Sequence, residues 1–469
     1  MSSLQVFNTL SGKKEPFVPI DGNKVRIYAC GPTVYDSSHL GHARMAIVWD
    51  VIQRYLRFSG YEVTYVSNIT DVDDKIINRA AAMGIRPEQL ARQCTFEYWR
   101  DMCDLNVAPP DAEPKATEFI APMLEFIQAL IDKGHAYAAD GDVYFDVPSF
   151  KGYGKLSKQD LDQLIVGARE QVRSQEELQS AKKNPVDFAL WKRSKPEELG
   201  WTSPWGYGRP GWHLECSTMI RKVLGESIDM HGGGEDLVFP HHENEIAQSE
   251  SLFAKPLAKY WLHHSFVQVN AEKMAKSLGN YKSIRDLLQS FSGDSLRLLL
   301  LQTHYRNPID FTAESLTAAR TAVQRLVRAA AFAQEAENNI TPSKTVSAAL
   351  EDLKTQFIES MNNDFNTAVA LSALFTVSDK VFQTKDKTEQ LLYAHALVKY
   401  ARILGFTLKD TRTELDADTA KSVMDLVLEL RKSARERKDY TTSDLIRHKL
   451  SDLGINVMDT AGGATWEKQ

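Results

Sequence analysis

Val25-Arg26-Ile27-Tyr28-Ala29-Cys30-Gly31-Pro32, followed shortly by His39-Leu40-Gly41-His42, is the stretch on which the reading of this chain turns. The apolar run from Val25 to Ala29 has the make-up of a buried strand, and Gly31-Pro32 ends it. From His42 through Phe58 the apolar spacing predicts a helix. Two imidazoles and a glycine therefore arrive at a helix start, where free backbone N–H groups and the helix dipole attract phosphate. Tyr61 to Val66 predicts a second strand with another helix behind it. Residues 24 to about 115 thus alternate strand and helix, the signature of a parallel sheet with crossover helices. Ligands of such sheets bind at the C-terminal strand edges, where Cys30 and Asn68-Ile69-Thr70 stand.

A second phosphate-handling segment, Lys273-Met274-Ala275-Lys276-Ser277, lies well past the middle of the chain and supplies two mobile ammonium groups. Together, His39, His42, Lys273 and Lys276 offer what is needed to hold a nucleoside triphosphate and to neutralise charge as the bond to its α-phosphorus is exchanged.

Four cysteines occur, at positions 30, 94, 103 and 216, and two stand beside these motifs. Cys216 closes Gly211-Trp212-His213-Leu214-Glu215-Cys216. Downstream, in His241-His242-Glu243-Asn244-Glu245, His241 and Glu245 are four apart and would share one face of a helix. Two thiolates, an imidazole and a carboxylate make a zinc set by ligand chemistry. Buried cysteines also serve as small hydrophobes, and clustered His and Glu also simply face water; without a CxxC pair, spacing leaves both readings open.

The 469 residues exceed a single hydrophobic core, so two to four domains are expected. With 56 Lys and Arg against 62 Asp and Glu, a generally basic nucleic-acid binder is disfavoured and any RNA contact must be local. Few cysteines fit a reducing compartment. Met1 to Ile20 lacks an apolar signal core and no run approaches the roughly 18 apolar residues of a membrane span, so a cytoplasmic protein with no membrane partner is expected.

Pro109-Pro110 and Pro114 mark a break. From about 116 to 204 the alternation is lost, and Gly152, Gly154, a polar run from Arg169 to Asn184 and Trp191 suggest an inserted domain. Glu170 to Ser180 reads as an exposed excursion. Strand–helix order resumes at Ser227-Ile228-Asp229-Met230, then a helix carrying His241 and Glu245, then the strand-like Ser265 to Val269 before the lysines. Beyond Phe311 the pattern is helical, with Arg320, Arg325 and Arg328 on one helix. From about Thr411 a tail carries Arg431, Lys432, Arg435, Arg437 and Lys438, by composition a solvated face of a basic helix.

In these segments the chain resembles the class I aminoacyl-tRNA synthetases and, among them, the cysteinyl-tRNA synthetases, along nearly its whole length. The resemblance is carried by Cys30 to Asp36, His39 to Arg44, Asn68 to Lys75, Gly208 to His213, His231 to Leu237, Phe239 to Glu245 and Lys273 to Asn280. It implies an α/β protein whose split parallel-sheet, Rossmann-like nucleotide-binding catalytic domain takes an inserted connective domain and is followed by a helical bundle and a small C-terminal anticodon-binding domain. The expected bounds are catalytic halves 1–115 and 205–264, insert 116–204, lysine-loop and stem-contact region 265–315, bundle 316–410 and anticodon domain 411–469. Cys30, Cys216, His241 and Glu245 fall on the family's positions for one Zn²⁺ per chain. ATP, with Mg²⁺, would meet Thr33, His39, Gly41, His42, Gly233, Asp236, Lys273, Lys276 and Ser277, of which His39, His42, Lys273 and Lys276 are the catalytic group.

L-Cysteine would meet Gly31, Thr70, Trp212 and His231; read without the resemblance, the last three are a strand-end hydroxyl, a core indole and a satisfied core histidine. The anticodon of tRNA(Cys) would meet Arg435, Tyr440, Asp444 and Asp459, and a monomer is expected. The chain departs from the family pattern in Ala275 where serine is usual, Leu40 for isoleucine, Tyr440 where Trp is common, and the length of the 170–180 run. Rival readings are a cysteine ligase of the mycothiol-pathway type that passes the adenylate to a small amino sugar, a nucleotidyltransferase, and a zinc-stabilised RNA-binding protein without catalysis.

Overall fold

A computed structural model of the chain describes residues 3–170, 182–269, 272–273, 282–334, 344–409, 417–460 and 463–468. They form two compact units, Met1–Lys409 and Asp410–Gln469.

At the centre of the first unit is a four-stranded, fully parallel sheet in the order Ala258–His264, Ile228–Gly234, Lys24–Ala29, Glu62–Ser67. Its two middle strands come from distant parts of the sequence, with Met230 opposite Ile27 and His231 opposite Tyr28. Ile228–Gly234 is buried along almost its whole length rather than on alternate residues, as expected of a parallel strand covered on both faces. The helix Leu40–Phe58 covers one face, burying Leu40, Ala43, Ile47, Trp49, Ile52 and Tyr55. The predicted strand–helix alternation is therefore present, and its C-terminal edge gathers residues 30–31, 68–70 and 231–234.

The insert is built differently. The helix Ile120–Asp132 packs with a five-stranded antiparallel sheet ordered Ala136–Ala139, Asp142–Phe145, Phe188–Arg193, Gly206–Pro210, Trp201–Ser203. Met123, Phe126, Phe145, Leu190 and Trp191 form its own core. Because Gly206–Pro210 pairs inside this sheet, the sheet runs past residue 204, where the insert was expected to end. The polar run 171–180 lies outside the described residues.

Downstream, Val267–Val269 lies between Glu272–Lys273 and Ile309–Phe311 in a three-stranded sheet. The helices Ala313–Ala331, Lys344–Asn362, Thr367–Gln383 and Lys387–Ile403 follow, packed through Leu316, Val323, Leu326, Phe357, Leu374 and Leu397.

The second unit holds the helices Ala417–Glu436 and Tyr440–Asp452 and the hairpin Ile455–Thr460/Gly463–Lys468. The basic run does not form one solvated helix face. Arg431 is buried, and Arg437 and Lys438 lie beyond the helix end at Glu436, because Lys438 turns into the left-handed region at φ +60°. No described helix is long and apolar enough to cross a membrane.

Candidate active site

The four candidate metal ligands converge. Cys30 leaves the strand Lys24–Ala29, Cys216 lies on the helix Trp212–Val223, and Glu245 lies in the first turn of the helix Glu243–Phe253. His241 stands just before that helix, past a kink at Phe239, and meets Glu245 four residues on, on the shared face that the spacing predicted. The break has a local cause: Pro240 has no N–H to give to a helical ladder, and Phe239 is extended. One ligand atom from each of Cys30, Cys216, His241 and Glu245 lies within 4.8 Å of the others, and all four residues are buried.

Their spacing suits zinc. Tetrahedral Zn²⁺ with Zn–S bonds of about 2.3 Å holds two sulfurs about 3.8 Å apart and a sulfur and an oxygen about 3.6 Å apart. Here Cys30 Sγ is 3.7 Å from Cys216 Sγ and 3.5 Å from Glu245 Oε1. His241 Nε2 and Glu245 Oε1 are paired at 2.7 Å, so these two must part to share a metal.

Of the four groups, Cys216 and Glu245 are the ones held toward their deprotonated forms. The Cys30 thiol donates to Cys216 Sγ, which brings Cys216 down to about 6, while burial pushes Cys30 up. Burial disfavours charge on His241, but the Glu245 carboxylate outweighs it and raises the imidazole to about 10. Burial likewise opposes the Glu245 charge, and the His231 and His241 imidazoles hold its carboxyl well below the usual range.

Sequence reasoning missed His242. It is buried like His241, and its Nε2 lies 3.3 Å from Cys30 Sγ. Its Nδ1 meets His263 Nε2 at 2.8 Å, and His263 Nδ1 meets Thr9 Oγ1 at 2.8 Å. Cys30, His231, His242 and Glu245 consequently form a second group with metal-ligand spacing. The tandem His241-His242 was the available signal; the periodicity argument used only one of them.

Around this centre stand the residues expected to meet cysteine. His231 Nδ1 donates to the Tyr28 carbonyl oxygen at 3.0 Å and its Nε2 contacts Glu245 Oε2. The Thr70 hydroxyl donates to Glu215 Oε2 at 3.2 Å and accepts from Asn68 Nδ2 at 3.2 Å, two partners no motif suggested. Trp212 stacks on His241 with ring centroids 4.1 Å apart and is 38% exposed, so it is not a core indole. Gly31 donates its N–H to Asn68 Oδ1 at 2.9 Å, and a β-carbon there would lie 1.7 Å from the Asn68 carbonyl oxygen. Gly31→Ala is accordingly expected to cost about 2–3 kcal/mol of stability by overpacking, read as a lowered thermal midpoint.

The phosphate motif has a specific local form. His39 is the N-cap of the helix Leu40–Phe58: its Nδ1 accepts the Gly41 N–H at 3.0 Å, and His42 Nδ1 accepts the His39 N–H at 3.2 Å. The rings stack with centroids 3.9 Å apart. Because Nδ1 of each ring accepts, the neutral imidazoles carry their proton on Nε2, a donor suited to a phosphate oxygen. Gly41 leaves room for this cap, since a β-carbon would come within 2.9 Å of the His39 ring. Thr33 bridges Thr70, Gly233 is the last residue but one of the strand Ile228–Gly234, beside Leu237, and Asp236 is exposed in the short turn Glu235–Leu237.

Lys273 lies on Glu272–Lys273, opposite Gln268. Ala275, Lys276 and Ser277 are outside the described residues. Beyond them the chain returns to the histidines: Ser283 bridges His39, and the Ile284 N–H donates to the Ser38 carbonyl at 3.0 Å. In the second unit, Arg435 is exposed on Ala417–Glu436, Tyr440 and Asp444 are exposed on Tyr440–Asp452, and Asp459 lies on Ile455–Thr460.

Two family models match the chain, a tRNA synthetases class I (C) catalytic domain over residues 16–321 and a DALR domain over residues 356–409. The cysteine–tRNA ligase of Heliobacterium modesticaldum is 46% identical over 485 residues, covering 99% of this chain and 100% of the relative. The chain belongs to the cysteinyl-tRNA synthetase family. The cysteine–tRNA ligase of Geobacillus thermodenitrificans is likewise similar to this synthetase, 45% identical with 100% of each chain covered. Solved structures share the fold at low identity. Methionyl-tRNA synthetase of Mycobacterium tuberculosis with methionyl-adenylate has a TM-score of 0.57 at 16% identity, covering 81% of this synthetase and 89% of that chain. The ternary LeuRS–tRNA–LeuAMS complex of Agrobacterium radiobacter gives 0.62 at 12% identity, covering 82% and 83%.

Proposed function

We propose that this synthetase joins L-cysteine to tRNA(Cys) at the expense of ATP, through a cysteinyl-adenylate. The observation that carries the reading is the convergence of Cys30, Cys216, His241 and Glu245 at the sheet edge from which the His39–His42 helix start also projects. In the first step the cysteine carboxylate attacks the α-phosphorus of ATP and pyrophosphate leaves. No covalent work is asked of the protein. His39 and His42 present Nε2–H donors to phosphate oxygens, Lys273 and Lys276 neutralise the charge that moves onto pyrophosphate, and Mg²⁺ accompanies the phosphates. Thr33, Gly41 and Ser277 border the phosphates, while Gly233 and Asp236 meet the ribose and adenine. The terminal adenosine 2′-hydroxyl of the tRNA then attacks the adenylate carbonyl, the acyl–phosphate bond breaks, and AMP leaves with the hydroxyl proton taken up by its phosphate.

Substrate choice rests with the metal group. Bound zinc supplies a Lewis acid on which a thiol becomes a strongly held thiolate, whereas the serine hydroxyl stays a weak ligand. A pocket sorting by size alone would gain only about 1–3 kcal/mol. Gly31, Thr70, Trp212 and His231 orient the amino acid against that centre. The Thr70 hydroxyl already spends its proton on Glu215, so its oxygen is left as an acceptor for the substrate ammonium.

The direct test is cysteine-dependent exchange of pyrophosphate into ATP, followed by transfer to tRNA(Cys); exchange driven by serine instead would overturn the reading. Protein purified without added zinc is expected to hold about one zinc per chain, since ligands from separate segments meet only on folding. Chelation should abolish the exchange and lower the thermal midpoint, and mass spectrometry of the native protein counts the metal.

A further inference from the structure

Arg44 is fully buried two residues after His42 on the helix Leu40–Phe58, and its guanidinium meets a cup of backbone carbonyls. Its Nη1 donates to the Phe266 oxygen at 2.6 Å, and its Nη2 donates to the oxygens of Tyr305 at 3.0 Å, of Asn307, and of His304 at 3.5 Å. Phe266 is the residue before Val267–Val269, the strand on which Lys273 is paired through Gln268. The same Phe266 oxygen accepts the Ile309 N–H at 3.0 Å, and the Ser265 hydroxyl donates to Glu235 Oε1 at 2.7 Å, beside Asp236.

The cup is itself held from behind. Asp364, fully buried, accepts from the Tyr305 hydroxyl at 2.7 Å and from Arg306 Nε at 2.8 Å. Burial brings Arg44 down to about 10, with the Glu235 carboxylate opposing. A guanidinium at this depth is costly to desolvate, and a planar fork of donors is what lets one side chain satisfy carbonyls on two separate segments.

We propose that Arg44 is a positioning residue for adenylate formation, setting the strand Val267–Val269, with which Lys273 is paired, at a fixed distance from the His39–His42 pair. Two struts then frame the ATP phosphates. The downstream one is backbone, Ser283 on His39 and Ile284 on Ser38; the upstream one is this single side chain. A displacement of about 1 Å between reacting groups costs on the order of a hundredfold in rate, so the strut bears on the chemical step. This inference rests on the proposed function, because the histidines and Lys273 must act on the same ATP.

The test is a double-mutant cycle on pyrophosphate exchange, with rates normalised to active sites by the adenylate burst. Arg44→Lys keeps a cation but not the fork. It is expected to lower the normalised rate roughly 30- to 100-fold in the otherwise unaltered protein, with the cysteine KM within about twofold, and by less than about threefold when Lys273 is already alanine. Equal losses in both backgrounds, or a lowered thermal midpoint with an unchanged normalised rate, would overturn the inference. Ser265→Ala removes only the hydroxyl that ties the neighbouring residue to Glu235. It should show the same loss of effect in the Lys273→Ala background from a starting loss of about fivefold, and it decides the matter if Arg44→Lys does not fold. If the unaltered protein shows no cysteine-dependent exchange, the proposed function fails and this inference with it; exchange with additive losses overturns this inference alone.

Discussion

Cys216→Ser is expected to release the metal and to lower cysteine-dependent adenylate formation by about a thousandfold, some 4 kcal/mol of transition-state free energy. Cys216 is buried, with its sulfur drawn toward the thiolate by the Cys30 thiol, and it faces His241 and Glu245 across the same small space. Serine fits there, but its hydroxyl keeps its proton near neutral pH and ligates zinc poorly. The substitution also separates the two groups that share Cys30 and Glu245. Cys216 belongs only to the one with His241, and His242 only to the one with His231. If the first group holds the metal, Cys216→Ser loses it and His242→Gln retains it. Metal counts on both variants, with exchange measured for cysteine and for serine, settle which is right. Full metal and unaltered discrimination in Cys216→Ser would remove the first group from the mechanism.

Cutting the chain after Lys409 should separate the two half-reactions. Residues 1–409 form a compact unit and contain every motif assigned to activation, so pyrophosphate exchange is expected to stay within about threefold of the intact protein. Charging of tRNA(Cys) should fall by about a thousandfold in kcat/KM if Arg435, Tyr440, Asp444 and Asp459 contact the anticodon. Binding of tRNA by the full chain should weaken with salt as phosphate contacts are screened. A truncated protein that charges tRNA as well as the intact one would free the C-terminal unit from RNA and restore the case for a small amine acceptor.

Much of this was legible in the residues themselves. The candidate phosphate-binding helix start is local, so His39, Gly41 and His42 already place two imidazoles and a glycine at a helix start, while the His39 cap on the Gly41 N–H emerged only in the structure. The alternation of apolar strand and amphipathic helix before residue 115 likewise announces a parallel sheet. Ligand chemistry made Cys30, Cys216, His241 and Glu245 a conceivable set, and the family resemblance singled them out. What their spacing could not supply was adjacency: Cys30 and Cys216 meet because strands from opposite ends of the insert pair in register, His231 beside Tyr28.

The remaining features are decisions of the tertiary structure. His242 enters the site through its contact with Cys30 Sγ, 212 positions away in the chain, which periodicity cannot anticipate. Trp212 looked apolar enough for a core, yet it lies over the His241 ring at the surface. Arg44 looked like one more charge on a helix, but its partners are carbonyl oxygens more than 200 positions away, groups that every residue carries and no sequence pattern marks. Side-chain chemistry and local periodicity are written in the order of residues. Which backbone oxygen, ring face or thiol a side chain meets is fixed only when strands and helices distant in sequence pack together.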